Sequence, residues 1–204
     1  MNEGGRARRD VAAATLGRIV DASKLDAAAA ERAALELLRA IGADVDSPDL
    51  LETPRRVAAS FAELVTPAEF GATLFPNDGC YDELVVVRDI PFHTLCMHHL
   101  LPFHGHAHVA YLPGEAIIGI SKLARVVEAF ARDLQLQERL TVQIADWLEQ
   151  QLAPRGLGVV LSAEHMCMTI RGVRKPGSRT LTSALRGSLR DDARTRQEFF
   201  SLVG

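Results

Sequence analysis

The apolar positions of this chain change their spacing along its length, and each change predicts a different kind of element. After Asp26 they recur at the interval of an amphipathic helix, and Gly42 is expected to end that helix. A second helix is predicted to open at Thr53, with Pro54 at its first helical position. Residues 67–82 are rich in glycine, proline and asparagine, which predicts a loop. The apolar positions of the first helix are Ala34, Leu37, Leu38 and Ile41.

From residue 84 the apolar spacing becomes that of strands. Residues 84–87 form a short β-branched run, and residues 104–111 alternate between polar and apolar positions. The polar face of that second strand carries His104, His106 and His108. Such a row is a candidate for a second metal site. A half-exposed polar face is the favoured interpretation, because no carboxylate or cysteine lies close by in sequence.

The second half of the chain repeats the order of helices and then strands. Helices are predicted from Ser121 and over residues 137–152, and a final strand and helix over residues 180–189 and 194–202. Residues 157–170 alternate, which predicts a long strand with His165, Cys167 and Arg171 on one face at about 7 Å per two residues. This order predicts an α+β fold with an antiparallel sheet, not a doubly wound one.

Composition indicates how the chain is divided into regions and limits the classes of partner that it can have. With 204 residues, 48% of them apolar, the chain can bury one proper core. We expect a disordered tail over residues 1–24, a helical region over 25–81 and a catalytic domain over 82–204. The net charge of -3 argues against nucleic acid as a partner, and no apolar run approaches the roughly 18 residues of a membrane span. The basic run from residue 171 to 196 suits a phosphorylated substrate.

The candidate chemistry centres on Cys96, His99 and Cys167. Cys96 and His99 have the spacing of a close ligand pair, and Cys167 supplies a distant third ligand. Thiolate and imidazole are ligands that Zn²⁺ prefers, and three protein ligands leave the fourth position for water, as in a catalytic zinc site. The alternative is a pair of buried core cysteines. Reduced thiolates fit a cytoplasmic protein, and Cys80 has no neighbour at ligand spacing.

Six segments, in the same order along the chain, resemble the GTP cyclohydrolase I family. They are ETPRRV at 52–57, CMHHLLPF at 96–103, GISKLAR at 119–125, QLQERLT at 135–141, HMCMTIRGV at 165–173 and TRQEF at 195–199. The resemblance implies the tunnelling fold (T-fold). In that fold, antiparallel sheets from several subunits close into a barrel with the helices packed outside. It also implies a homodecamer with active sites at subunit interfaces.

The resemblance further implies a reaction and a role for each site residue. The reaction converts GTP and water to 7,8-dihydroneopterin triphosphate and formate, the first step of tetrahydrofolate and pterin biosynthesis. The implied zinc ligands are Cys96, His99 and Cys167, and the implied acid–base pair is His98 and His165. The implied guanine readers are Gln137 and Glu138. The implied triphosphate and ribose contacts are Ser121, Lys122, Arg125 and Arg171, with Arg56 as a weaker candidate.

The residue types agree with this chemistry. Attack of water on C8 of GTP needs the activation that zinc supplies. N7 then needs a proton, which His165 could deliver from its place two residues before the ligand Cys167. A buried carboxylate at Glu138 would accept two hydrogen bonds from the guanine edge and so select against adenine. Glu138 is equally an acid stabilised by a helix N-terminus, and the two roles are compatible.

Two departures from the family pattern and several rival functions stay open. Met97 stands where many relatives carry glutamate, and Ala59 where some carry lysine. A structural zinc module without catalysis would need a fourth ligand, such as His104, His106 or His108. A nitrile reductase of the same fold, in deazapurine metabolism, uses a cysteine nucleophile and no zinc. A nucleobase deaminase would show H-x-E with C-x-x-C, which this chain lacks. Genomic neighbours would distinguish a folate, biopterin or deazapurine pathway.

Overall fold

The computed structural model describes residues 17–204. After a short 3-10 helix, Ala22–Lys24, seven helices and seven strands follow within that range. The helices are α1 Ala27–Ala40, α2 Thr53–Val65, α3 Ile120–Ala131, α4 Gln137–Leu152, α5 Met166–Thr169, α6 Ser188–Asp191 and α7 Ala193–Val203. The strands are β1 Leu74–Pro76, β2 Val85–Cys96, β3 Pro102–Leu112, β4 Ala116–Ile118, β5 Leu134–Gln135, β6 Gly156–His165 and β7 Thr180–Gly187.

The main sheet has five strands in the order β5-β2-β3-β6-β7. Its four long strands pair antiparallel, and only the two-residue β5 pairs in parallel, with the end of β2. A separate two-stranded ribbon pairs β4 with β1, and β1 lies inside the stretch that the sequence predicts as a loop. The α+β class and the antiparallel sheet are confirmed.

The core lies between one face of this sheet and the helices α3 and α4. Because side chains alternate along β3 and β6, one set of them faces these helices. The apolar faces of the helices pack against that set. The predicted bounds of α4 are confirmed, as is its buried face of Leu140, Ile144, Trp147 and Leu148. A smaller cluster on the opposite face contains Ala110, Val160, Leu189 and Phe199, so α6 and α7 cover one end of that face. The helices therefore pack mainly, but not solely, on one side.

The beginning of the described chain corrects part of the predicted disordered tail. The Arg18 guanidinium donates to the carbonyls of Val65 at 2.9 Å and Ala129 at 3.3 Å, and the N–H of Ile19 donates to the Asp133 carboxylate at 2.9 Å. Asp133 is 1% exposed, and a buried carboxylate needs such donors. Residues 17–24 are therefore anchored to the helices. The rest of the predicted tail, residues 1–16, lies outside the described residues.

The structure differs from the sequence-based prediction in further local features. The strand predicted over residues 84–87 continues to Cys96 through a bulge, where Asp89 has a φ of +58° and its N–H donates to Nδ1 of His108. That bond gives His108 a structural role, and within residues 17–204 no metal-binding group includes the row of three histidines. The helix predicted from Ser121 begins one residue earlier, so Ser121 is the second residue of α3. No helix in the described part of the chain is long and apolar enough to cross a membrane.

Candidate metal centre and active site

Three metal-binding side chains, Cys96, His99 and Cys167, meet at one end of the sheet. Their ligand atoms all lie within 4.8 Å of one another, and the Cys96 sulfur is 3.9 Å from Nδ1 of His99. Cys96 is buried, Cys167 is half-buried and His99 is exposed. Two sulfurs and one imidazole nitrogen suit Zn²⁺, and three protein ligands leave one position for water. The donor set and its spacing therefore fit a catalytic zinc ion.

The turn between β2 and β3 forms the close pair. The Cys96 carbonyl accepts from the N–H groups of His99 at 3.3 Å and Leu100 at 2.8 Å. Leu100 has a φ of +55°, in the left-handed region that few non-glycine residues adopt. This conformation reverses the chain within four residues. As a result His99 returns over Cys96 before β3 begins.

Strand β5 supports the buried side of the same turn. Cys96 pairs with Gln135, and the N–H of Met97 donates to the Gln135 carbonyl at 3.1 Å. The buried Gln135 side chain donates to the Phe130 carbonyl at 2.7 Å and accepts from Nε of Arg139 at 3.0 Å. Groups that orient a metal ligand in this way are as much a part of a metal site as the ligand itself. The position of Cys96 is therefore fixed by the start of α4 as well as by its own strand.

Cys167 reaches the centre from α5, the single helical turn after β6. Burial raises the pKa of the Cys167 thiol, the nearby Cys96 thiol raises it further, and the Arg171 guanidinium acts in the opposite direction. Both thiols must lose their protons to bind a metal ion. Two adjacent thiolates repel each other unless a cation lies between them, so this pair is arranged for a cation.

His165 is the last residue of β6 and lies directly before α5. Its ring stacks on Phe103, with centroids 4.4 Å apart and planes 10° apart, and its Nε2 is 2.8 Å from Oε1 of Gln137. Burial lowers the pKa of His165, while the charge of Glu138 opposes that shift. An imidazole held on two sides, two residues from a metal ligand, suits proton transfer.

The other predicted acid–base residue, His98, is exposed in the turn, with its ring edge-on to that of His99 at 6.2 Å.

The predicted straight line from metal ligand to Arg171 is wrong. Strand β6 ends at His165, and the chain then coils through α5, where the Ile170 N–H donates to the Met166 carbonyl at 3.2 Å. Cys167 and Arg171 are therefore not successive positions on one strand face. Arg171 is exposed beyond the helical turn. Its charge opposes the rise that burial causes in the pKa of the Cys167 thiol, so Arg171 remains a neighbour of the centre.

The two predicted guanine readers are the first two residues of α4 and have different environments. Gln137 is 1% exposed, and its amide is hydrogen bonded inside the protein. Glu138 is exposed, and its charge acts on His165. A free carboxylate beside the predicted general acid is available to a ligand. The Gln137 amide is already engaged.

The remaining predicted substrate residues lie on α3 and α2. Ser121 and Arg125 are exposed on α3, Lys122 between them is half-buried, and Arg56 is exposed on α2. Arg125 lines a cavity of about 650 Å³, and none of the three metal-binding residues lines it. The other cationic and histidine residues around this cavity are His93, His104, His106, Arg132 and Arg179. Within one chain, the described structure therefore does not place Arg125 and the metal centre in the same cavity.

Sequence reasoning missed the residues that hold His165 in place. Phe103 stacks on its ring, and Thr141 and Thr182 hydrogen bond to Gln137 and to each other. Phe103 sits in the CMHHLLPF segment, but that segment gives no signal for stacking. The threonines come from α4 and β7, and only the folded sheet brings them together.

A Cys-His-Cys cluster at one end of an antiparallel sheet, in an α+β fold, fits the class of enzymes that use a metal ion to activate water. Comparison with known proteins narrows that class. The sequence model of GTP cyclohydrolase I matches residues 30–204, and the chain belongs to the GTP cyclohydrolase I family.

Curated relatives agree with this assignment over most of the chain. GTP cyclohydrolase 1 of Aquifex aeolicus (strain VF5) is 53% identical over 81% of this chain and 90% of its own length. GTP cyclohydrolase 1 of Bacillus subtilis (strain 168) is 52% identical over 82% of this chain and 90% of its own length. A solved structure, the archaeosine synthase QueF-Like in the apo form, matches 51% of this chain and 93% of its own. Its TM-score is 0.41 and its identity 18%.

Proposed function

We propose that this chain is a zinc-dependent enzyme that converts GTP and water to 7,8-dihydroneopterin triphosphate and formate. The observation that carries the proposal is the Cys96, His99 and Cys167 cluster, with ligand atoms within 4.8 Å, in a chain of this family. The relatives named GTP cyclohydrolase 1 support it. A same-fold enzyme that uses a cysteine nucleophile without zinc would not need a second thiol and an imidazole beside that cysteine.

The chain's own groups supply the proton transfers. When bound at the three ligands, zinc would supply the activation that water needs to attack C8 of the guanine ring. His165 holds a proton beside the centre and gives it to N7 as water adds across the C8=N7 double bond. The exposed His98 is the second acid–base group, for the hydrolysis that releases formate. Opening of the ribose ring, an Amadori-type rearrangement and ring closure then complete the pterin.

Substrate selection needs a guanine contact and a cationic surface for the triphosphate. The exposed Glu138 carboxylate would accept hydrogen bonds from N1–H and the amino group of guanine, which adenine lacks in this arrangement. Arg171, near Cys167, would hold the phosphate side of the ligand from the same chain. The residues expected to complete the triphosphate and ribose contacts are Ser121, Lys122, Arg125 and, with less support, Arg56.

A homodecamer with shared active sites accounts for three features of the single chain. Leu37, on the apolar face of α1, and Ile41, which caps the end of that helix, are 62% and 70% exposed. Arg125 lines a cavity that none of the metal-binding residues lines, so a neighbouring copy would supply the α3 contacts. Strand β7 and the open part of β2 are sheet edges that pairing between subunits would protect.

The three unpaired thiols fit a cytoplasmic location, at the start of folate and pterin synthesis.

The direct test is incubation of the zinc-loaded protein with GTP, measuring formate and fluorescent oxidised neopterin. The proposal predicts both products in equal amounts, and none with ATP. Glu138→Gln is the informative variant, because it keeps the side-chain shape but replaces one acceptor oxygen with a donor. It should lose most turnover of GTP. Zinc binding without either product from GTP would contradict the proposal and favour a zinc-binding paralogue without catalysis.

A further inference from the structure

The side-chain amide of Gln137 is hydrogen bonded on one side to His165 and on the other side to groups of the sheet. Its Nε2 lies 3.2 Å from the Leu161 carbonyl, 2.9 Å from the Thr180 carbonyl and 3.1 Å from Oγ1 of Thr182. Carbonyl oxygens only accept hydrogen bonds, so the amide nitrogen must face this side. The opposite orientation would set the amide oxygen against two carbonyl oxygens. The Gln137 oxygen therefore faces His165.

Two threonines reinforce this orientation. Oγ1 of Thr141 donates to the Gln137 carbonyl at 2.7 Å and lies 2.7 Å from Oγ1 of Thr182. A hydroxyl has one hydrogen, so Thr141, having given its hydrogen to the carbonyl, accepts from Thr182. Thr182 in turn accepts from the Gln137 amide. The two hydrogens of the Gln137 amide are shared among three acceptors, Thr182 and the two carbonyls, and all three require the amide nitrogen on this side.

We propose that Gln137 is a positioning residue that determines which ring nitrogen of His165 carries the hydrogen, and that Thr182 and Thr141 hold Gln137 in that orientation. The Gln137 oxygen, 2.8 Å from Nε2 of His165, accepts a hydrogen bond, so neutral His165 carries its hydrogen on Nε2. Nδ1 is then the nitrogen with a free lone pair. Stacking on Phe103 fixes the plane of the ring. The proton that His165 exchanges with a substrate therefore passes through Nδ1.

This inference rests on the proposed function only in giving His165 a substrate. It replaces guanine contact by Gln137 with a different role, and kinetics separate the two. A guanine reader should, on loss of its amide, raise KM for GTP. A positioning residue should lower kcat with KM kept, because the ring spends less time in the productive form. Groups that orient a functional imidazole typically contribute about ten- to hundredfold in activity.

The kinetic test uses Gln137→Leu together with the matched pair Thr182→Val and Thr182→Ser. Valine keeps the shape of threonine without the hydroxyl, and serine keeps the hydroxyl. We expect Gln137→Leu to lower kcat about ten- to hundredfold with zinc content kept. Thr182→Val should show a smaller fall and Thr182→Ser a rate near that of the wild type. A raised KM with kcat unchanged in Gln137→Leu would overturn the proposal.

A spectroscopic test needs no turnover and so separates this proposal from the proposed function. Solid-state NMR of the zinc-loaded protein, labelled with ¹⁵N-histidine, reports which ring nitrogen carries hydrogen, and His165→Ala identifies the signal. At a pH where the ring is neutral, we expect hydrogen on Nε2 in the wild type and in Thr182→Ser. Thr182→Val should show a mixture with the Nδ1–H form. A wild-type ring with hydrogen on Nδ1 would contradict the proposal, whether or not the protein turns over GTP.

Discussion

Phe103 and His165 are direct partners across β3 and β6, and their rings stack with centroids 4.4 Å apart and planes 10° apart. Phe103 is fully buried, whereas His165 is half-buried and lies two residues before Cys167 of the candidate metal centre. The sheet thus presents a rigid apolar surface to one face of a titratable ring. The proposed proton donor is held by the core of the protein and not by a mobile loop.

Removal of Phe103 should therefore affect stability and catalysis together. Phe103→Ala empties a fully buried site and should cost about 3–5 kcal/mol of the free energy of unfolding. It should also lower kcat per folded, zinc-loaded chain. Phe199→Ala is the matched control, because Phe199 is equally buried but belongs to the cluster on the other sheet face. Denaturant unfolding and formate release should show a similar stability loss in both and a kcat loss only in Phe103→Ala.

His165 and Arg171 should separate chemistry from binding. His165→Ala should keep zinc and GTP affinity and lose formate release by about 10²–10⁴-fold, because it removes a general acid. Arg171→Ala should chiefly raise KM, because a guanidinium on phosphate acts in the ground and transition states alike. Zinc content, GTP binding and formate release are to be measured on both variants. Near wild-type turnover in His165→Ala would move the proton-transfer role to His98.

The bulge in β2 should make stability depend on pH. Burial lowers the pKa of His108, with Asp89 opposing the shift, and Nδ1 accepts from the Asp89 N–H at 3.2 Å. The unfolded chain then binds more protons than the folded one as the pH falls below the ordinary histidine pKa of about 6.5. Stability is therefore full above that value and is lost as the pH falls toward the lowered folded pKa.

The variant His108→Asn tests this dependence, because the Asn oxygen keeps an acceptor near the position of Nδ1. Urea unfolding between about pH 8 and about pH 5 should show a smaller loss of stability in His108→Asn than in the wild type. Equal losses in the two proteins would show that His108 does not cause the dependence.

The exposed apolar face of α1 should be required for assembly. Light scattering of the wild type should give a particle ten times the 22.2 kDa mass of one chain. Leu37→Asp on that face and Ile41→Asp at the end of the helix introduce charges and should yield smaller particles with less activity. Arg32→Asp, at an exposed position of the same helix, controls for the charge change. A wild-type protein that is a stable, active monomer would contradict active sites shared between subunits.

Periodicity was enough to predict the elements whose ends coincide with local signals. The bounds and buried face of α4 follow from helical spacing that begins and ends within sixteen residues. The close spacing of Cys96 and His99 was also predictable, because both residues lie in one turn. The helix α1 was predicted correctly, yet Leu37 on its apolar face is exposed. Spacing identifies an apolar face but not the chain that covers it.

Features that depend on contacts distant in sequence were not predictable. The alternation of residues 157–170 continues past His165 without a glycine or proline, so nothing local marks the start of α5. The anchoring of Arg18 requires carbonyls at the ends of α2 and α3. The orientation of Gln137 requires Thr182 from β7. Each of these appears only when the sheet is assembled.

The most direct test of the account is a zinc titration of the metal-free protein with formate release as the readout. We expect formate release from GTP to rise linearly and to saturate at about one zinc per chain. Cys167→Ser should lose both zinc and turnover, whereas Cys80→Ser, at the exposed cysteine outside the cluster, should keep both. Full zinc binding in Cys167→Ser, or formate release from the metal-free protein, would contradict the account.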